Sequence, residues 1–216
     1  MPIHQYLSFI VKIIAILLGI IYWNKFSTPY KLLTIQCCIV FLVEAWGKYL
    51  NATTGQNNVI IFNGYSLIEL WLLGYIGLEL ISIKFKKFFV YALVLLTIFW
   101  IYSYSVYGPE QFFNWYFVLQ CFFLLILYTI VLITKAMFNR KVLWKQPLFL
   151  LCVSLILYYA CTIPLFGTIN YLVQSNMKMA ARLFYISHAI NILRYTLVAL
   201  AFYLYARQAK RAYVQQ

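Results

Sequence analysis

Long apolar runs separated by short polar stretches dominate the chain, and their lengths predict its architecture. Such runs cover residues 6–23, 31–49, 60–81, 88–107, 112–133, 147–166 and 183–205. About twenty helical residues at 1.5 Å each cross roughly 30 Å of hydrocarbon, where lipid leaves backbone groups no partner outside a helix. Each run therefore predicts a transmembrane helix, and the first is just long enough. It is read as a retained helix and not a secretion signal, because Lys12 interrupts its centre and no small-residue cleavage pattern follows. The breaks carry turn chemistry. Pro29 falls in the first turn region, a polar stretch over 51–58 follows the second helix, and Gly108-Pro109 closes the fourth. Pro147 opens the sixth helix, where its missing N–H costs nothing, and Pro164 is expected to kink or end it. No internal repeat is visible. The three-plus-one-plus-three plan of sugar transporters fits the length, but its Pro-Gln dipeptide is missing from the corresponding helices.

Composition agrees with a membrane chain. It is 65% hydrophobic, 20% aromatic and only 10% charged, against roughly a quarter charged in soluble domains. No polar block is long enough for a separate soluble domain, so residues 1–216 form one all-α, polytopic membrane domain of seven helices. The net charge of +13 would raise nucleic-acid binding in a soluble chain. Here the cations fall in alternate loops, as membrane insertion favours, so lipid is the expected partner and nucleic acid is not. One set of loops holds Lys25, Lys31, Lys84, Lys86, Lys87, Lys135, Arg140, Lys141, Lys145, Arg207, Lys210 and Arg211; the other holds Lys48, Lys178, Arg182 and Glu110. The positive-inside bias then places the amino terminus outside and the carboxyl terminus in the cytoplasm. Trp46, Trp100 and Trp115 near outer ends, and Trp23 and Trp144 near inner ends, fit an aromatic belt.

The seventh run breaks the apolar rule. Advancing three or four residues per step aligns Phe184, Ser187, His188, Asn191, Arg194 and Tyr195 on one side of the helix. An ionised Arg near mid-membrane costs roughly 2.5–3.5 kcal/mol on insertion scales and faces a partner within the bundle. The chain has no Asp, and its acids are Glu44, Glu69, Glu79 and Glu110, so the choice of partner is narrow. Counted from the outer boundaries, Lys12 and Glu44 lie roughly 8–9 Å deep, and the stripe from His188 to Arg194 spans about 8–17 Å. Lys12 and Arg194 against Glu44 and Glu69 balance in charge if their helices adjoin, with Asn63, Ser66 and Tyr65 completing the hydrogen bonding. Glu44 also has Lys48 one turn away, and Lys12 has the option of snorkelling. Glu79 is close to Lys84 and is read as interfacial. Gly74 and Gly77 are read as close-packing positions, and Ser154, Tyr158 and Cys161 as residues able to face the bundle.

Catalytic sets are scarce. Only His4 and His188 are present, so a zinc centre has too few ligands, and a Ser/His/Asp triad cannot form without Asp. The cysteines Cys37, Cys38, Cys121, Cys152 and Cys161 sit in apolar runs without metal spacing. The seventh helix has no Lys for a retinal Schiff base. No enzyme activity, cofactor or metal is expected. A Glu in the second helix, Asn57 through Asn63 running to Glu69, Pro147 ahead of Tyr158, and His188-Ala189-Ile190-Asn191 together resemble a group of short, uncharacterised seven-helix bacterial inner-membrane proteins. That resemblance implies the same topology and a sensory or accessory role beside signalling proteins. The expected function is a receptor-like or accessory membrane protein. Its charge-balanced outer cavity, built from Arg194, Glu69, Glu44, His188, Asn191, Lys12, Asn63 and Tyr65, would bind a small polar ligand or a membrane partner. The alternatives are a small transporter or channel, and a structural subunit of a membrane complex.

Overall fold

The structure, a computed structural model, describes residues 3–54, 58–137, 142–175 and 177–214. Among them every regular element is helical: α1 (Ile3–Ile21), α2 (Thr28–Thr54), α3 (Val59–Leu80), α4 (Ile83–Tyr107), α5 (Asn114–Val131), α6 (Pro147–Ser175) and α7 (Met177–Val214). One wider turn, Leu132–Ala136, extends α5. Six of these helices are long and apolar enough to cross a membrane, and the apolar part of α1, Tyr6–Ile21, is shorter. The chain is a multi-pass helical membrane protein.

Several boundaries differ from the sequence expectation. Pro29 belongs to the first turn of α2 and not to a loop, which is where a helix accepts proline without losing a bond. Pro164 does not end α6, which continues to Ser175. Membrane helices tolerate such a proline when neighbouring groups hold the segment, and here Thr162 and Leu165 beside it are buried while Phe166 packs against Phe112 and Phe117. Met177, well before residue 183, opens α7. Pro147 starts α6 as expected.

Six helices close a ring. Going round it, α1 packs on α2, α2 on α3, α3 on α5, α5 on α6, α6 on α7, and α7 back on α1. Outside this ring α4 lies in the groove between α3 and α5, with 17% of its apolar window buried against 39–44% for the other spanning helices. Its exposed Tyr91, Leu95, Ile98 and Ile101 are therefore a lipid-facing surface.

Small residues set the helix spacing. A Cβ on Gly77 would collide with the Leu127 side chain of α5, and one on Gly74 would meet Leu93 of α4. Both glycines thus let α3 approach two neighbours closely, in the manner of small-residue contacts between membrane helices. Gly108 has a different task. It ends α4 at φ +70°, a conformation that side chains disfavour, and Pro109 follows it. Gly77→Val is expected to destabilise the bundle by roughly 1–3 kcal/mol through overpacking. Thermal unfolding in detergent checks this, and Leu127→Ala in the same chain should recover part of the loss.

Candidate functional site

Arg194 of α7 is 2% exposed, and its Nη2 donates to Oε1 of Glu69 on α3, also 2% exposed, at 3.1 Å. These two helices are not neighbours around the ring, so the pair crosses its interior. The guanidinium carbon lies 4.2 Å from the centroid of the Tyr158 ring, 5.3 Å from Tyr195 and 5.8 Å from Tyr159. Aromatic faces attract a cation, and these three supply the surroundings that one carboxylate leaves open.

A second pair joins α1 to α2. Lys12, 1% exposed, donates to Glu44 Oε2 and to Ser8 Oγ at 3.2 Å, with the Phe9 and Tyr195 rings at 5.7 and 5.3 Å. Lys12 does not snorkel. The α-helical period places Lys48 on the same face as Glu44, yet Glu44 goes to Lys12, and the Lys48 ammonium sits 4.0 Å from the centroid of the Phe9 ring. Position along α2 favoured a local pair; the neighbouring helix supplied a more buried one.

Between these pairs lies a cavity of about 460 Å³. Arg194 and Glu69, both buried, mark one end of it, with the half-buried Tyr158 beside them. From there it runs toward the end of the bundle that carries the start of α1, past Asn191, His188, Ser187, Glu44 and Lys48 to Asn58. Its polar side comes from α2, α3 and α7. Phe112 from the connection before α5, Phe117 of α5 and Phe166 of α6 form an aromatic side, with ring centroids 4.7–5.5 Å apart. The opposite half of the ring is filled. Leu70, Leu73, Ile76, Leu124, Leu127, Leu151, Leu155, Val198 and Phe202 are all buried, and Tyr128 closes the middle by donating to the Leu73 carbonyl at 2.9 Å. Phe26, Tyr30, Phe202 and Tyr205 pack together at the far end of α7.

Of the sequence-selected residues, Arg194, Glu69, Glu44, His188, Asn191 and Tyr65 line this cavity. Lys12 lies behind it, bonded to Glu44. Tyr65 accepts a hydrogen bond from Gln36 Nε2 at 2.9 Å, which ties α2 to α3. Asn63 lies elsewhere. Its Nδ2 donates to the carbonyls of Pro109 and Gln111 at 3.2 and 2.8 Å, its Oδ1 accepts from the Phe113 amide at 3.4 Å, and its own carbonyl accepts from Trp100 Nε1 and Ser66 Oγ. It anchors the α4–α5 connection to α3. Of the other residues thought able to face the bundle, Tyr158 reaches the cavity, Ser154 bonds the Leu151 carbonyl in its own helix, and Cys161 is exposed. The sequence offered Lys48 only as a local partner for Glu44, and gave no place at the cavity to Asn58 or the phenylalanine wall. A Phe every few residues at the same depth was the available signal, and it is hard to see where a fifth of the residues are aromatic.

Among the described residues no group of three His, Cys, Asp or Glu side chains comes together as a metal site. No family model, curated protein or solved structure matches the chain.

Breaking the crossing pair leaves a buried charge, so Glu69→Ala is expected to cost roughly 3 kcal/mol. The double variant Glu69→Leu/Arg194→Met should be more stable than Glu69→Ala, which a double-substitution cycle by thermal unfolding will read. Asn63→Leu should act locally. It is expected to raise hydrogen exchange and proteolysis at 109–113 by unpairing the connection, with a loss of about 1–3 kcal/mol.

Proposed function

We propose that the protein is a receptor-like or accessory membrane component that binds a small ligand in this cavity. All seven helices cross the bilayer in this reading, including the shorter α1, with the amino terminus outside and the basic end in the cytoplasm. The topology and its placement in a bacterial inner membrane rest on the alternation of basic loops and on the resemblance noted in the sequence. One observation carries the functional reading: a cavity of about 460 Å³ has a buried ion pair, Arg194 with Glu69, among the groups that line it. Charged groups inside a membrane bundle are costly and are kept where they meet a ligand, an ion or a partner. A solute route would also use Arg194 and Glu69, but the aliphatic half below them favours binding over passage. A docking role in a larger complex would not need a cavity of this size.

Accessibility tests the reading. In a cysteine-free background, Asn191→Cys is expected to react with a charged, membrane-impermeant thiol reagent applied to intact cells, and Val198→Cys is expected not to react. Silence at both positions from either side would remove the water-filled site, and reaction at Asn191→Cys only from the cytoplasmic side would reverse the orientation. Reconstituted vesicles should show no proton or ion flux above the protein-free background; flux lost in Glu69→Ala would establish the transport reading instead.

A further inference from the structure

The cavity has more cation than its carboxylates can use. Glu44 is held by Lys12 and Glu69 by Arg194, while Lys48 lines the same space without a carboxylate within 4 Å among the described residues. Its ammonium sits on the Phe9 ring, and Glu44 attracts it only from beyond 4 Å. A ring face is worth about 0.5–2 kcal/mol to a cation and leaves the ammonium donors free for an anion. Arg194 reinforces the excess, because a guanidinium has five N–H donors and one of them meets Glu69. Tyr195 also lines the cavity, and its hydroxyl is buried without a hydrogen-bond partner among the described residues. Three cations, Lys12, Lys48 and Arg194, thus stand against two carboxylates, Glu44 and Glu69, around the polar side.

The other side is apolar. Phe112, Phe117 and Phe166 offer contiguous aromatic surface within reach of the same volume, about 460 Å³, which is in the range that holds a drug-sized molecule. A cationic ligand would have to compete with Lys12 and Arg194 for their carboxylates. A neutral sugar would use neither the surplus charge nor the phenyl wall.

We infer that the ligand is an amphipathic anion, whose acidic head meets Lys48 while an aromatic or acyl body lies on the phenylalanine wall. This rests on the ligand-binding reading above and narrows it to a chemical class. A water-soluble organic acid and an anionic membrane lipid both carry that chemistry.

The test uses the full chain in phosphatidylcholine nanodiscs and three probes with one body: 4-phenylbutyrate, 4-phenylbutylamine and 4-phenylbutan-1-ol. Thermal stabilisation is expected from the carboxylate at about tenfold lower concentration than from the amine or the alcohol. That preference should vanish in Lys48→Gln, persist in Lys48→Arg, and be unchanged in Lys86→Gln at the opposite end. Equal or tighter binding of the amine or alcohol, or a preference surviving Lys48→Gln, overturns the anion assignment while leaving a ligand cavity in place. No stabilisation by any probe, with Asn191→Cys still labelled, also overturns it; the same silence with Asn191→Cys unlabelled removes the cavity reading itself. Replacing part of the phosphatidylcholine with phosphatidylglycerol separates the two sources. Stabilisation that depends on Lys48 and is displaced by 4-phenylbutyrate identifies the lipid, and its absence beside a carboxylate response identifies a soluble acid.

Discussion

A guanidinium placed inside an apolar ring of helices has to be answered by an opposite charge, and the structure is arranged around that requirement. Arg194 has Glu69 as its carboxylate and three tyrosine rings about it. Because α3 and α7 face each other across the ring, neither can rotate toward lipid without leaving the other charge unpaired in a poor solvent for it. The pair thus fixes the orientation of two helices at once. Lys12 and Glu44 impose the same condition on α1 and α2. Four of the six ring helices are in this way oriented by charge, and α5 and α6 by the aromatic and aliphatic surfaces they turn inward.

The two halves of the ring then separate by solvent. Toward the start of α1 the interior keeps donors, acceptors and space; toward the end of α7 it is filled by aliphatic side chains and an aromatic cluster. The division explains why an apolar chain can keep ionic groups without losing its core. Most of the hydroxyls elsewhere carry no such meaning. Thr34, Thr97, Thr129, Thr134 and Thr162 each bond the carbonyl four residues back in their own helix, which satisfies them internally. Gln120 and Tyr159 differ from these hydroxyls: both are buried, and neither the Gln120 amide nor the Tyr159 hydroxyl has a hydrogen-bond partner among the described residues.

The elements legible in the sequence were those set by local chemistry. Apolar length found the helices, Pro147 and Gly108 marked their ends, and the lack of other acids narrowed Arg194 to a glutamate. What stayed hidden depends on neighbours that sequence spacing does not reveal. The continuation of α6 past Pro164 comes from packing around Phe166, and the position of α4 outside the ring comes from which helices close it. Helical spacing offered Lys48 to Glu44, whereas the fold brought Lys12 there from another helix and left Lys48 at the cavity. That exchange turns an expected balance of charge into an excess of one cation.

Asn63 and Glu69 show how the same helix divides its polar residues between architecture and site. They are less than two turns apart on α3, both are buried, and the sequence placed both in one polar centre. Asn63 spends both ends of its amide on the chain between α4 and α5. Glu69 meets a cation that itself has donors to spare and looks onto open volume. Burial and polarity are equal in the two cases, so neither separates them. The distinction lies in whether the surrounding protein exhausts the hydrogen-bonding capacity of the group and of its partner, and by that criterion the polar centre contracts from Asn63 and gains Lys48 and Tyr195.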